Sequence, residues 1–141
     1  MTSPASYSLK MFSPPATLDE VHYLLSSIWE KSPEVSSDSQ MRFETALIEL
    51  VSNVFRHADK GEGVACALQI GIFSTHIEAV MRDTGEEGFF IIAGTEMPDP
   101  LQEGGRGIPL INALVDEFTY ENDGEHNIWR IARKFEGPRN G

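Results

Sequence analysis

Between Gln40 and His57, the residues Phe43, Ala46, Leu47, Leu50, Val51 and Val54 recur at helical spacing and form one broad apolar face. A helix with such a face must lie on a second layer, so the chain has to fold as a long helix covering other elements. The helix is expected from Ser39 or Gln40 to His57. At about 100° per residue, Glu49 and Asn53 fall at the rim of the apolar face, beside Ala46 and Leu50. Four residues apart, they stand one turn apart on one side of the helix. A carboxylate beside a neutral carboxamide suits a catalytic base next to a ligand for a hard metal ion. An ordinary solvated helix face also carries such residues.

The rest of the chain reads as a single domain. Its 141 residues can bury one sizeable core. Twenty-two acidic against 11 basic residues give a net charge of −11. That balance argues against nucleic-acid binding, which draws its affinity from phosphate neutralisation by Lys and Arg. A phosphorylated nucleotide remains possible where glycine N–H groups and a magnesium ion supply the positive field. Acidity also suits a basic protein partner. Cys66 is the only cysteine, expected as core filler in the apolar run Val64–Ile72. His22, His57, His76 and His126 lack metal-ligand spacing. Met1–Pro15 has no secretory pattern, and no apolar run is long enough to span a bilayer, so a cytoplasmic protein is expected.

Around the long helix, Tyr7–Phe12 alternates like a strand and Ser13-Pro14-Pro15 ends it. Thr17 and Glu20 form a capping box for a first helix reaching about Trp29, and the residues from Ser32 through Ser39 read as a polar loop. Val64–Phe73 and His76–Arg82 are two strands joined at Ser74-Thr75. Thr84–Gly107 then holds six glycines and two prolines, a length that marks a functional lid. A helix over Ile108–Glu117 has Pro109 in its first turn. Phe118–Asn122 and Ile128–Phe135 form a closing hairpin around Asp123-Gly124. The folded core is expected over 6–135, with a loose tail over 136–141.

Two further segments bear on chemistry. Asp83-Thr84-Gly85 ends a strand, and Gly104-Gly105-Arg106-Gly107 opens a helix. Alone, the first is an ordinary turn and the second a flexible helix entry; neither is a dinucleotide fingerprint or a Walker A loop. Their order after the Glu49…Asn53 helix points to a nucleotide pocket.

Those segments resemble the GHKL (Bergerat-fold) ATPases, and among them the anti-sigma-factor serine kinases of the RsbW type. Glu49-Leu-Val-Ser-Asn53-Val-Phe-Arg-His57-Ala58 is similar to the family's N-box, and Asp83-Thr84-Gly85 to its adenine-binding box. Gly104–Ile111 with Val115-Asp116-Glu117 resembles the lid-to-helix box. The resemblance implies an α+β two-layer sandwich, the Bergerat fold. Its mixed, mostly antiparallel sheet is covered on one face by about three helices. By the same resemblance, Asn53 would coordinate Mg²⁺ between the phosphates of ATP, and Glu49 would be the general base. Asp83 would accept the adenine amine, and Gly85 would let the backbone pass close to the base. Gly105 and Gly107 would offer N–H groups to the phosphates, while Arg106 either contacts a phosphate or points to solvent.

The implied function is an ATP-dependent bacterial serine/threonine-protein kinase acting as an anti-sigma factor. It would phosphorylate an anti-sigma-factor antagonist, alternately hold a sigma factor, and form a homodimer. The alternative is a non-catalytic ATP-binding switch whose lid gates a protein interface. His22-Tyr23 stand where relatives often carry a partner-binding Arg, and Asn127 about where many place a Gly-Thr pair near the adenine.

Overall fold

The computed structural model describes residues 5–13, 16–57, 63–84 and 107–135. Five strands form one sheet in the order β1-β2-β3-β5-β4: β1 Ala5–Ser13, β2 Val64–Ile72, β3 His76–Asp83, β4 Glu117–Asn122 and β5 Asn127–Lys134. Every described pairing is antiparallel. Helices α1 (Leu18–Lys31), α2 (Ser37–His57) and α3 (Gly107–Leu114) complete the described fold. This is the expected α+β sandwich.

Helices α1 and α2 each begin where a side chain can take up an orphan N–H. Thr17 caps α1, but its hydroxyl accepts from Asp19 N at 3.3 Å rather than from the third helical residue as the capping box predicts. The segment Ser37-Asp38-Ser39, expected in a loop, is the first turn of α2. The Ser36 hydroxyl accepts from Ser39 N, and Arg42 grips Asp38 one turn on. Val35, also expected in the loop, is buried. At 21 residues, α2 is about 30 Å long, enough to cross the whole sheet. The third helix ends at Leu114, three residues earlier than its pattern implies. There the Asp116 carboxylate accepts from Lys134 N at 2.7 Å, and its own N–H bonds Ala132 O, which turns the chain into the sheet.

Strand alternation decides which face meets the helices. On β2 the buried residues are Val64, Cys66, Leu68, Ile70 and Ile72; on β3 they are Ile77, Ala79, Met81 and Asp83. All but Asp83 pack with Phe43, Leu47, Leu50 and Val54 of α2 and Leu25 and Ile28 of α1 in one apolar core. Each such side chain contributes roughly 1.5–3 kcal/mol by leaving water. The opposite face carries Glu78 and Arg130, which are ion-paired, and Arg130 also reaches Glu117 at 3.2 Å.

The register places polar groups in one row. Met11, Cys66, Asp83, Asn127 and Asn122 stand opposite one another across all five strands. Cys66 is buried as expected, and its thiol is pushed up to about 12, first by burial and then by the charge of Asp83. Such a thiol is a poor nucleophile. The folded protein is therefore expected to resist iodoacetamide at pH 8 and to react only in denaturant. Because the folded value lies above the unfolded 9.0, the thiol favours folding fully below pH 9 and progressively less up to about 12. The stability of Cys66→Ala should accordingly fall less steeply over that window than that of the natural sequence, as followed by urea denaturation.

Candidate functional site

Helix α2 and the ends of β3 and β5 hold the candidate residues and their partners. Along α2, Asn53 faces inward and is 1% exposed, while Glu49 one turn earlier is half-buried. The helix thus presents the two side chains at different depths. The Asn53 carbonyl oxygen accepts from Arg56 at 3.0 Å, and its Nδ2 finds no partner among the described residues. An unmatched buried donor costs about 1–3 kcal/mol. Asn53→Leu should therefore raise the thermal midpoint of the unliganded protein by a few degrees while abolishing any magnesium dependence of nucleotide binding. A lowered midpoint would mean that the amide has a structural partner.

Glu49 opens onto a groove of about 420 Å³ between α1 and α2, which His22, Trp29, Met41 and Glu44 also line. The two carboxylates of that groove differ. Glu44 is locked, with one oxygen 2.8 Å from His22 Nδ1 and the other accepting from Trp29 Nε1 at 2.9 Å. Glu49 makes no hydrogen bond or ion pair among the described residues. Tyr23, 78% exposed, and Met41, 61% exposed, lie on the same two helices.

Asp83 ends β3 fully buried. Its Oδ1 accepts from Asn127 Nδ2 at 2.9 Å and its Oδ2 from Trp129 Nε1 at 2.7 Å. The Trp129 ring is held in turn by Tyr120, with centroids 4.3 Å apart, and by Phe118 at 6.4 Å. Thr84 fixes the exit from β3 by bonding Ala65 on both sides: its N–H donates to the Ala65 carbonyl and its hydroxyl accepts from Ala65 N, each at 3.1 Å. A buried carboxylate oriented by two donors can accept from a base amine and repel a base carbonyl.

Of the expected site residues, Glu49 and Asn53 share one helix, and Asp83 sits on the helix-covered face of the sheet. Gly107 is the first residue of α3. Gly85, Gly105 and Arg106 lie outside the described residues, as do segments 85–106 and 136–141. The groove reaches Glu49 but not Asp83. Four partners were not foreseen in these roles: Glu44, Arg56, Asn127 and Trp129. The i,i+3 spacing of Asn53 and Arg56 was the one local signal for any of them.

A divalent ion fits this donor set sparingly. Asn53 offers a carbonyl oxygen held by a single solvent-facing guanidinium, with Glu49 one turn away. No group of three His, Cys, Asp or Glu able to hold a metal occurs among the described residues. Magnesium suits such a place, because it keeps waters and takes further oxygens from phosphates. No described helix is long and apolar enough to cross a membrane.

The sequence profile of the histidine kinase-like ATPase domain family matches residues 13–132. Among solved structures, the histidine kinase domain of a blue-light activated histidine kinase from Erythrobacter litoralis is similar, with a TM-score of 0.50 at 19% identity. The likeness covers 68% of this chain and 47% of that one, so the chain spans about half the length of that relative, and at this identity it bears on fold alone. No curated protein is significantly similar in sequence.

Proposed function

The chain belongs to the histidine kinase-like ATPase domain family, and from that premise we propose that it is an ATP-dependent serine/threonine-protein kinase of a partner-switching module. ATP is the phosphoryl donor. The acceptor is a hydroxyl of a small anti-sigma-factor antagonist, and the same protein alternately holds a sigma factor, as a homodimer in the cytoplasm.

One observation carries the reading: Glu49 is unpaired among the described residues and half-buried at a groove whose other carboxylate, Glu44, is locked by His22 and Trp29. A general base needs a lone pair free to receive a proton and an open side from which the hydroxyl arrives. The exposed Met41 lining that groove suits a protein surface better than a small molecule, and Tyr23 is a second exposed apolar side chain on α1.

In the proposed reaction the acceptor oxygen attacks the γ-phosphorus and its proton passes to Glu49. The bond from the γ-phosphorus to the bridging oxygen breaks, and ADP leaves with that electron pair. Asp83 fixes the adenine end, which lets α2 meet the triphosphate in a constant register. Asn53 would hold the magnesium ion, which when bound neutralises phosphate charge. The negative charge added to the acceptor then opposes its binding to this acidic chain, of net charge −11, and releases it.

The test is calorimetric titration with ATP in magnesium, followed by transfer of labelled γ-phosphate to a co-purified antagonist. Binding with transfer to a serine or threonine is expected. Binding without transfer to any antagonist would leave a nucleotide-gated switch, and no binding would remove the kinase reading altogether.

A further inference from the structure

Asp83 does not set its own orientation. We propose that Asn127 is a positioning residue that determines how well the pocket separates adenine from guanine, with its own orientation fixed from the β4–β5 turn. The inference rests on the reading of Asp83 as the base-recognising carboxylate.

Gly124 N is a backbone N–H and can only donate; it bonds Asn122 Oδ1 at 2.8 Å. The carboxamide of Asn122 therefore has its oxygen toward the turn and its Nδ2 toward β5. That Nδ2 donates to Asn127 Oδ1 at 3.1 Å, and the Tyr120 hydroxyl donates to the same oxygen. With its oxygen claimed from β4, Asn127 turns its Nδ2 to Asp83 Oδ1 at 2.9 Å. Asp83, Asn127 and Asn122 are directly opposite one another on three adjacent strands, so register alone brings them together. The turn that starts the relay needs glycine, because Gly124 has φ +96°.

The direction of the relay has a chemical consequence. If the Asn127 amide were reversed, its carbonyl would face the Asp83 carboxylate, and two acceptors would repel at hydrogen-bond distance. The carboxylate would then rotate or take in water, and its alignment toward a base amine would be lost. Guanine offers a carbonyl where adenine offers that amine, so an aligned carboxylate attracts one base and repels the other. A loosened one does neither well.

Three variants decide the matter: Asn127→Leu, which is similar in volume and donates nothing, Asn127→Thr, which restores one donor, and Tyr120→Phe with Asn122→Ala, which removes the two donors that pin the amide oxygen. The readout is the ratio of ATP to GTP dissociation constants by calorimetry, together with the shift of the Trp129 indole N–H resonance. Asn127→Leu should reduce the preference for ATP by about tenfold or more, the loss of roughly one oriented hydrogen bond to a charged group. GTP affinity should hold steady and Asn127→Thr should recover part of the preference. The double variant leaves Asn127 in place and should lower the ratio several-fold, so it decides the question even where Asn127→Leu does not fold.

A merely structural Asn127 would weaken both nucleotides alike with the ratio unchanged, and that result overturns the proposal. If Asp83→Asn abolishes the ATP preference while the Asn127 and β4 variants do not, the proposal fails and the reading of Asp83 stands. If Asp83→Asn leaves the preference intact, or the natural sequence shows none, both fail together.

Discussion

Glu49→Ala is expected to reduce phosphotransfer by about 10²–10⁴-fold, the range attributable to one positioned general base. ATP affinity should change by no more than a few-fold. The separation follows from where Glu49 sits. It is half-buried at the open groove and holds no structural partner among the described residues, so its removal leaves nothing buried and unmatched. Single-turnover transfer to the antagonist measures the first effect and calorimetry the second. Glu44→Ala is the informative control. It breaks two contacts, to His22 and Trp29, and should lower the thermal midpoint without a comparable loss of chemistry. A Glu49→Ala protein that transferred phosphate at the natural rate would remove the base from the mechanism.

Asp83→Asn should produce the opposite profile, with ATP binding weakened by about a hundredfold or more and the fold measurably less stable. The carboxylate is fully buried and serves the donors of Asn127 and Trp129 at 2.9 and 2.7 Å. An amide keeps one acceptor oxygen and sets an NH₂ against the other donor, a clash worth about 1–3 kcal/mol. Against a total stability of about 5–15 kcal/mol that loss is affordable, so the variant should still fold cooperatively. Urea denaturation and ATP titration on one preparation check both halves. Asp83→Ala would orphan both donors and is the harsher form of the same experiment.

Much of this architecture was legible before any coordinates. The apolar face Phe43–Val54 identified α2, and two runs rich in Ile, Val and Phe on either side of a tight turn located β2 and β3 to within a residue or so. The start of α2 was not legible, because Ser36, Ser37, Asp38 and Ser39 read equally as a loop or as a cap followed by a first turn. What decided it was burial of Val35 beneath the helix entry, a tertiary fact. The site divides in the same way. Glu49 and Asn53 are local, four residues apart on one helix, and sequence spacing was enough to pair them. Asp83 meets Asn127 and Trp129 across 44 and 46 residues, and only the β3–β5 register joins them. The family resemblance marks the position of Asn127, yet its donor role depends on Asn122 and the backbone of Gly124, which no spacing rule connects. The roles of Gly85, Gly105 and Arg106 fall outside the described residues.

The two layers of the sandwich divide the work. Among the described residues, those proposed to handle phosphate and proton lie on helices, Glu49 and Asn53 on α2 and Gly107 at the start of α3; those proposed to handle the base lie on β3, β4 and β5. Among the described residues none serves in both sets, and the layers meet mainly through an apolar core, with Arg133 of β5 reaching Asp38 of α2 at 3.9 Å at its margin. Mutation can therefore explore one property without dragging the other with it. A lineage carrying this sheet could drift toward a new base while its reaction rate stayed intact, or lose its base catalyst and survive as a nucleotide-reading adaptor. The same separation gives an engineer two independent dials.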